Sequence, residues 1–453
     1  MGKKSTFILL GITAAIISYC IYKKKQKSFK SIADKYYNNK DYSNAIYYYL
    51  LYLNHAQDRN SLLDIYNKLS YCYIKLKQYN QSLNYLNLSL NLNLNPTTLK
   101  WRFECYKKLD MKNELCKDLF LYSRIINDQE EINKIKDQAD ILIKEISTEK
   151  CSSYLLENEL FVDFEEYEYI FEPFISLVEE YKDNEIIHIL VKKDYKELHN
   201  FLFNKNNIEN INKDDINELK NECDEIKNLF KSMILFYKGF IEESISLIQN
   251  SSFKYSKIIR RFFLNSQKNE KTLFCGGDNV EGDNCTIDYF MYKITKDIKY
   301  IIKYKYNFIY PQLILHYLNL EEYNKIEEII NTVDYSSYIP LIILIGEYKI
   351  KRYQTLIKTT IENPRIDLIK ALFYIEINKK DVSINILKNS IQTYPTFFKS
   401  YLYLGNLLME DLDECENMFK KGLQYCNTYN ELLVCNQALM FVEIERHIKL
   451  YDK

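Results

Sequence analysis

The residues able to do chemistry in this 453-residue chain are few and scattered. Five histidines (His55, His188, His199, His316 and His447) form no HExxH and do not pair with cysteine at zinc-ligand spacing. Eleven cysteines include no CxxC, and most fall inside apolar helical patterns. That is the usage of reduced thiols serving as small core residues in a reducing compartment. No GxGxxG or GxxxxGK[ST] phosphate cradle and no GxSxG elbow occurs. The acidic residues of the loop from Asp278 to Asn284 (DNVEGDN) miss the EF-hand spacing, so the loop reads as a solvated insertion bracketed by Cys275 and Cys285. Acidic neighbours such as Glu165 and Glu166 are ordinary helix-surface residues. A net charge of −1 provides no basic field for nucleic acid. These readings lead to an expectation of a binding protein, not an enzyme, with no cofactor and no metal.

Binding needs a surface, and composition says what builds it. Nine glycines and six prolines are few, whereas 42 tyrosines and 24 phenylalanines are many, and 47% of residues are hydrophobic. Few turn formers and many rings suit long helices packed on one another, not a β-sandwich. The length exceeds one ordinary core, so several domains or an extended array are expected.

A repeat of small residues organises those helices. Ala371, Ser383 and Ser390 are 12 and 7 apart, with Pro395 five further on. Ser70, Ser82 and Ser89 repeat the 12 and 7, with Pro96 beyond, and so do Ser232, Ser244 and Ser251. Ala33 and Ala45 are 12 apart, as are the larger Phe103 and Leu115, while Gly405, Cys415 and Gly422 keep the 7. Small side chains at these spacings let the two helices of a tetratricopeptide (TPR) hairpin touch. The fold class expected is all-α: a TPR superhelix of two stacked helix-hairpin arrays with an N-terminal transmembrane helix. The expected domains are a signal-anchor with basic flank at 1–28, three TPRs at 29–125, a divergent acidic helical linker at 126–225, and a C-terminal TPR array with a closing helix at 226–453. The linker is placed where the small-residue register lapses and acidic residues gather around VDFEEYEYIFEP (Val162 to Pro173).

The transmembrane expectation rests on residues 5–22, which carry no charge. At about 1.5 Å per residue such a helix spans a thin bilayer. Lys23, Lys24, Lys25, Lys27 and Lys30 come directly after it, against Lys3 and Lys4 before. The heavier C-terminal flank keeps the remainder of the chain in the cytosol. The lysine cluster is expected to sit against anionic headgroups.

This order of parts (anchor, three TPRs, acidic helical stretch, longer TPR array) resembles the seventy-kilodalton receptor of the translocase of the outer mitochondrial membrane. The run from Glu431 through Gln437, Ala438, Phe441, Glu443 and Arg446 is similar to that family's terminal amphipathic helix, and Phe230 to Leu264 to the first repeat of its C-terminal half. The resemblance implies an outer-membrane import receptor of a mitochondrion or mitosome, binding precursor proteins and passing them to other translocase subunits. It also implies a clamp in the N-terminal TPRs for the carboxylate tails of cytosolic heat-shock chaperones. Carried onto this sequence, the clamp is degenerate. Lys30 stands at its first lysine and Asp34 where an asparagine is expected. Lys68, beside Asn67, stands where the second asparagine belongs. Thr97 and Trp101 stand where a lysine and an arginine are expected, with Lys100 and Arg102 next to them. Asp34 would repel an anionic tail, so chaperone binding is expected to be weak or lost. Trp101, the single tryptophan, reads equally as a groove aromatic or a packing residue. The alternative function is a membrane-tethered TPR scaffold or co-chaperone on the endoplasmic reticulum.

Overall fold

The computed structural model describes residues 29–54, 58–158, 160, 170–203, 217–251, 253–268, 284–306, 309–332 and 362–451. The apolar run 5–22 and most of the loop between Cys275 and Cys285 lie outside them. Among the described residues no strand occurs, and no helix is long and apolar enough to cross a membrane.

One backbone device recurs along the chain. Lys40, Lys77, Asp110, Lys193, Glu321 and Asn378 adopt positive φ of 54–61°, and Gly239 has φ 96°. Each lies two residues before the next helix begins. At all of these but the Lys193 turn, the residue after it donates its N–H five positions back: Asp41 to the Tyr36 carbonyl at 2.9 Å, Gln78 to Tyr73 at 2.9 Å, Met111 to Tyr106 at 3.0 Å, Phe240 to Leu235 at 2.9 Å, Glu322 to Tyr317 at 2.9 Å and Lys379 to Tyr374 at 2.8 Å. This six-to-one closure ends one helix and reverses the chain into its partner. The resulting hairpins are α1 (29–38) with α2 (Tyr42–Leu53), α3 (Arg59–Lys75) with α4 (Tyr79–Leu92), and α5 (Pro96–Lys108) with α6 (Lys112–Ile125). The long α7 (Gln129–Glu157) comes next.

The small residues sit where the helices meet. Ala33, Ala45, Ser70, Ser82 and Ser89 are fully buried, and the Ser82 hydroxyl donates to the Ser70 carbonyl at 3.0 Å. Stacked hairpins of the TPR kind are therefore present. In the first compact unit, which runs up to Lys150 and takes in Leu439–Lys453, residues of α3 to α6 share a core with Ala139, Ile143 and Ile146 of α7. Met440, Ile444 and Ile448 of the last helix complete that core.

The second unit is Cys151–Ala438. A short 3₁₀ turn (Glu172–Phe174) leads into α8 (Ile175–Glu180), α9 (Glu185–Val191) and α10 (Tyr195–Phe203). Then come α11 (Asn217–Lys238), α12 (Ile241–Ile248), α13 (Lys254–Lys268), α14 (Cys285–Thr295), α15 (Tyr310–Asn319) and α16 (Tyr323–Thr332). Further on lie α17 (Pro364–Glu376), α18 (Lys380–Thr393), α19 (Phe398–Leu407), α20 (Leu412–Leu423) and α21 (Tyr429–Lys449). Ser232, Ser244, Ala371, Ser383 and Cys415 are fully buried. At Gly405 any Cβ would overlap the Phe419 ring, so only glycine lets α19 and α20 approach this closely.

The compact units divide differently from the composition-based boundaries at 125/126 and 225/226. Residues 126–225 are not one connecting segment. The part of α7 up to Lys150 belongs to the first unit, whereas Ile170, Phe171, Phe174, Ile186 and Leu198 enter the same core as Phe230 and Phe290. The Phe171 and Phe230 rings lie 4.9 Å apart, and Phe174 packs edge-on to Phe230 at 5.4 Å. Of the acidic run from Val162 to Pro173, residues 162–169 lie outside the described residues. The end of the closing helix likewise belongs to the first unit, from Leu439 onward, instead of capping the C-terminal array.

Candidate functional site

The candidate surface is the row formed by α1, α3 and α5, the first helices of three successive hairpins. Lys30 and Asp34 are four residues apart on α1, and Asp64 and Lys68 four apart on α3, so each pair shares one helix face. The two faces meet with charges crossed. Lys30 Nζ lies 2.8 Å from Asp64 Oδ2, and Lys68 Nζ lies 2.7 Å from Asp34 Oδ1 and 3.3 Å from Asp64 Oδ2. The Tyr49 hydroxyl donates to Asp34 Oδ1 at 2.7 Å. Burial works against the Lys30 charge, yet Asp64 outweighs it and holds the ammonium above its ordinary pKa. Burial would raise the Asp64 carboxyl, yet Lys30 and Lys68 hold it below the usual carboxylate range. Burial, then the bond to Asp34, pushes the Tyr49 phenol up. The quartet carries two positive and two negative charges that satisfy one another.

The remaining clamp candidates divide. Asn67 Oδ1 accepts from Ser89 Oγ at 2.6 Å and Thr98 Oγ1 at 3.2 Å, tying α3 to α4 and α5. Thr97 is exposed in the first turn of α5. Trp101 is half-buried with its ring 5.6 Å from Tyr71. Lys100 is paired with Glu131 at 2.9 Å and lies over the Tyr122 ring. Arg102 is no surface residue at all, which corrects its place among the clamp candidates. It is 2% exposed and grips Asp118 with Nε at 2.5 Å and Nη2 at 2.6 Å. Its Nη1 donates to Asn87 Oδ1 at 2.8 Å and to the Tyr451 hydroxyl at 3.0 Å. His447 Nε2 reaches Asp118 Oδ1 at 2.9 Å. Burial opposes the Arg102 charge, but Asp118 more than compensates, and the guanidinium stays ionised.

A carboxylate clamp needs cations with donors free for the guest. Here Asp34 and Asp64 take those donors, and Arg102 faces the core. Asp64, Asp118, His447 and Tyr451 join these clusters without being clamp candidates from sequence. The only advance signal was that Lys30 and Asp64, like Asp34 and Lys68, are opposite charges one repeat length (34 residues) apart.

Cys72, Cys105, Cys116, Cys151, Cys285, Cys415, Cys426 and Cys435 are buried. Burial pushes the thiols of Cys72, Cys116 and Cys285 up to about 12, so they are not ionised at neutral pH. Among the described residues, no three His, Cys, Asp or Glu are grouped so as to hold a metal ion.

No family model matches the sequence, and no curated protein matches it. Among solved structures, the chain is similar to yeast Tom70, with a TM-score of 0.37, 16% identity, and coverage of 95% of this chain and 98% of that one. It is also similar to the APC/C hetero-tetramer Cut9–Hcn1, with a TM-score of 0.30, 12% identity, and coverage of 94% and 91%. A third similarity is to the TPR domain of P58(IPK), with a TM-score of 0.23, 12% identity, and coverage of 95% and 99%. Likeness at this level carries no argument about function, and the stacked-hairpin description stands on the residue geometry alone.

Proposed function

We propose that this chain is a polypeptide-binding receptor that acts by reversible association and not by catalysis. We place it on the cytosolic face of the outer membrane of a mitochondrion or mitosome, where it takes up precursor proteins and hands them to translocase subunits. The observation that carries the binding reading is the α1–α3–α5 row. Three hairpins bring half-exposed aromatic and polar side chains from helices 34 residues apart onto one surface. The membrane placement is supported by the uncharged run 5–22 with lysines directly after it, and by the order of parts along the sequence. Tethering raises the effective concentration of the receptor where precursors arrive. The self-paired quartet supports weak or lost recognition of chaperone tails.

The test is to image the tagged full-length chain in cells and photo-cross-link it to newly made precursors. Rim staining of mitochondria with cross-links to precursors is the expected result. A reticular pattern removes the mitochondrial placement in favour of a scaffold on the endoplasmic reticulum, and rim staining without precursor cross-links removes the receptor role.

A further inference from the structure

The α1–α3–α5 row carries a strip of rings that the charge quartet does not use. Tyr37 of α1, Tyr42 at the start of α2 and Tyr71 of α3 pack in a triangle, with centroids 6.3, 5.7 and 6.2 Å apart. Tyr71 continues to Trp101 of α5 at 5.6 Å. All four side chains are half-buried, unlike the core tyrosines Tyr49 and Tyr106. Their planes are tilted by 52–78°, so the strip is corrugated and not a flat stack. Their polar tips are unused: the hydroxyls of Tyr37, Tyr42 and Tyr71 and the indole N–H of Trp101 have no hydrogen-bond partner among the described residues. At the edge of the strip, the exposed Lys75 holds its Nζ 5.0 Å from the Tyr71 ring and has no carboxylate partner among the described residues. Lys30, Lys68 and Lys100, cations of the same row, are each paired within the chain.

We infer that Tyr37, Tyr42, Tyr71 and Trp101 form the contact strip for an extended polypeptide segment with apolar side chains at alternate positions and a carboxylate that reaches Lys75. This rests on the receptor reading and names the guest chemistry of that row. Alternate side chains of an extended chain are about 6.6–6.8 Å apart, close to the 5.6–6.2 Å steps from Tyr42 through Tyr71 to Trp101. An extended guest also leaves its backbone N–H and C=O groups unpaired, and four polar tips without a partner among the described residues match that need. A helical guest has already closed its backbone bonds and has no use for them. Lys75, the cation of the strip without a carboxylate partner among the described residues, selects an acidic residue in the guest.

Trp101 is the single tryptophan, so selective excitation of indole reports this strip alone. The experiment titrates the full chain with a doubly blocked peptide, Asp-Phe-Ser-Leu-Ser-Phe-Ser. Its controls are a peptide of the same composition with the three apolar residues consecutive, and one with lysine in place of aspartate. A saturable change in Trp101 emission is expected, strongest with the alternating acidic peptide. Tyr71→Ala weakens it about tenfold. Lys75→Glu, on an exposed side chain that leaves the packing intact, reverses the aspartate-over-lysine preference by about twofold to fivefold. The inference is overturned if Trp101 emission does not respond, if the consecutive peptide binds equally well, or if Lys75→Glu leaves the preference unchanged. Cross-linking to precursors separates this outcome from the receptor role. Unaltered cross-linking in Tyr71→Ala rejects the strip and keeps the receptor. Peptide binding without any precursor cross-link keeps the strip and rejects the receptor.

Discussion

Arg102 keeps its charge where water does not reach, and it does so because all three of its guanidinium nitrogens donate to partners within the protein. Removing one partner of such a pair strands the other, at a cost of about 3–5 kcal/mol, whereas replacing both by apolar residues is often close to neutral. Arg102→Met is therefore expected to lower the urea midpoint sharply, and the double change with Asp118→Leu to recover most of the loss. A double variant as unstable as the single would show that the pair does not act as a unit. The crossed quartet makes a different prediction. Asn at positions 34 and 64 frees the donors of Lys30 and Lys68, so D34N with D64N should gain binding to an acidic peptide with a free terminal carboxylate, by about tenfold or more. Calorimetry on the unsubstituted chain should show little or no binding of the same peptide. Glu443 sets an acid limit. Burial pushes its carboxyl up, but Lys117 at 3.1 Å and Lys150 at 3.3 Å outweigh burial and hold it below its ordinary range. A depressed folded-state pKa stabilises above the unfolded value of about 4.3 and is lost as pH falls through the folded one. The melting temperature should hold above about pH 5 and fall below about pH 4, with a shallower fall in Glu443→Gln. At this scale the sequence was least informative. Lys30, Asp34 and Lys68 were visible as charges, but not that Asp64 closes the set, nor that Arg102 turns inward to a residue 349 positions away.

The helices themselves were legible. Small residues 12 and 7 apart marked where hairpin partners touch, and the buried serines and alanines occupy those contacts. The reversals between them were not legible. Positive φ is ordinarily read from glycine, yet six of the seven positive-φ hairpin turns among the described residues place Lys, Asp, Glu or Asn there. A left-handed L-residue costs about 1–2 kcal/mol, so the turns hold through the six-to-one closure and the packing on either side. Lys77 is exposed, with φ 59°. Lys77→Gly is expected to raise stability by about 0.5–1 kcal/mol, net of the added freedom of the unfolded chain. An unchanged or lowered urea midpoint would mean that the Lys77 side chain contributes packing that the turn geometry does not reveal. The lapse of the small-residue register in 170–203 misled for a related reason. There, Ile and Phe fill the core without any tiny residue to announce the contact.

At the scale of the whole chain, the first unit is assembled from sequence-distant parts. Ala139, Ile143 and Ile146 form a helical stripe that is readable in advance, but its complement, Met440, Ile444 and Ile448, comes far downstream, and no local pattern announces the match. Deleting 439–453 removes the buried side chains of Met440, Val442, Ile444 and Ile448, worth about 1.5–3 kcal/mol each, along with the Tyr451 and His447 contacts to the Arg102–Asp118 pair. The first unit is then expected to melt many degrees earlier by calorimetry, and an unmoved transition would show that the C-terminal residues are dispensable to it. The same arrangement bears on biosynthesis. Leu439 lies 289 positions beyond Lys150 (439 − 150). At about 5–20 residues per second, a ribosome needs roughly 15–60 s to reach it. For that interval the nascent chain holds the oily stripe on α7 without Met440, Ile444 and Ile448, and a unit whose other helices were made first waits for residues 439–453 to complete its core.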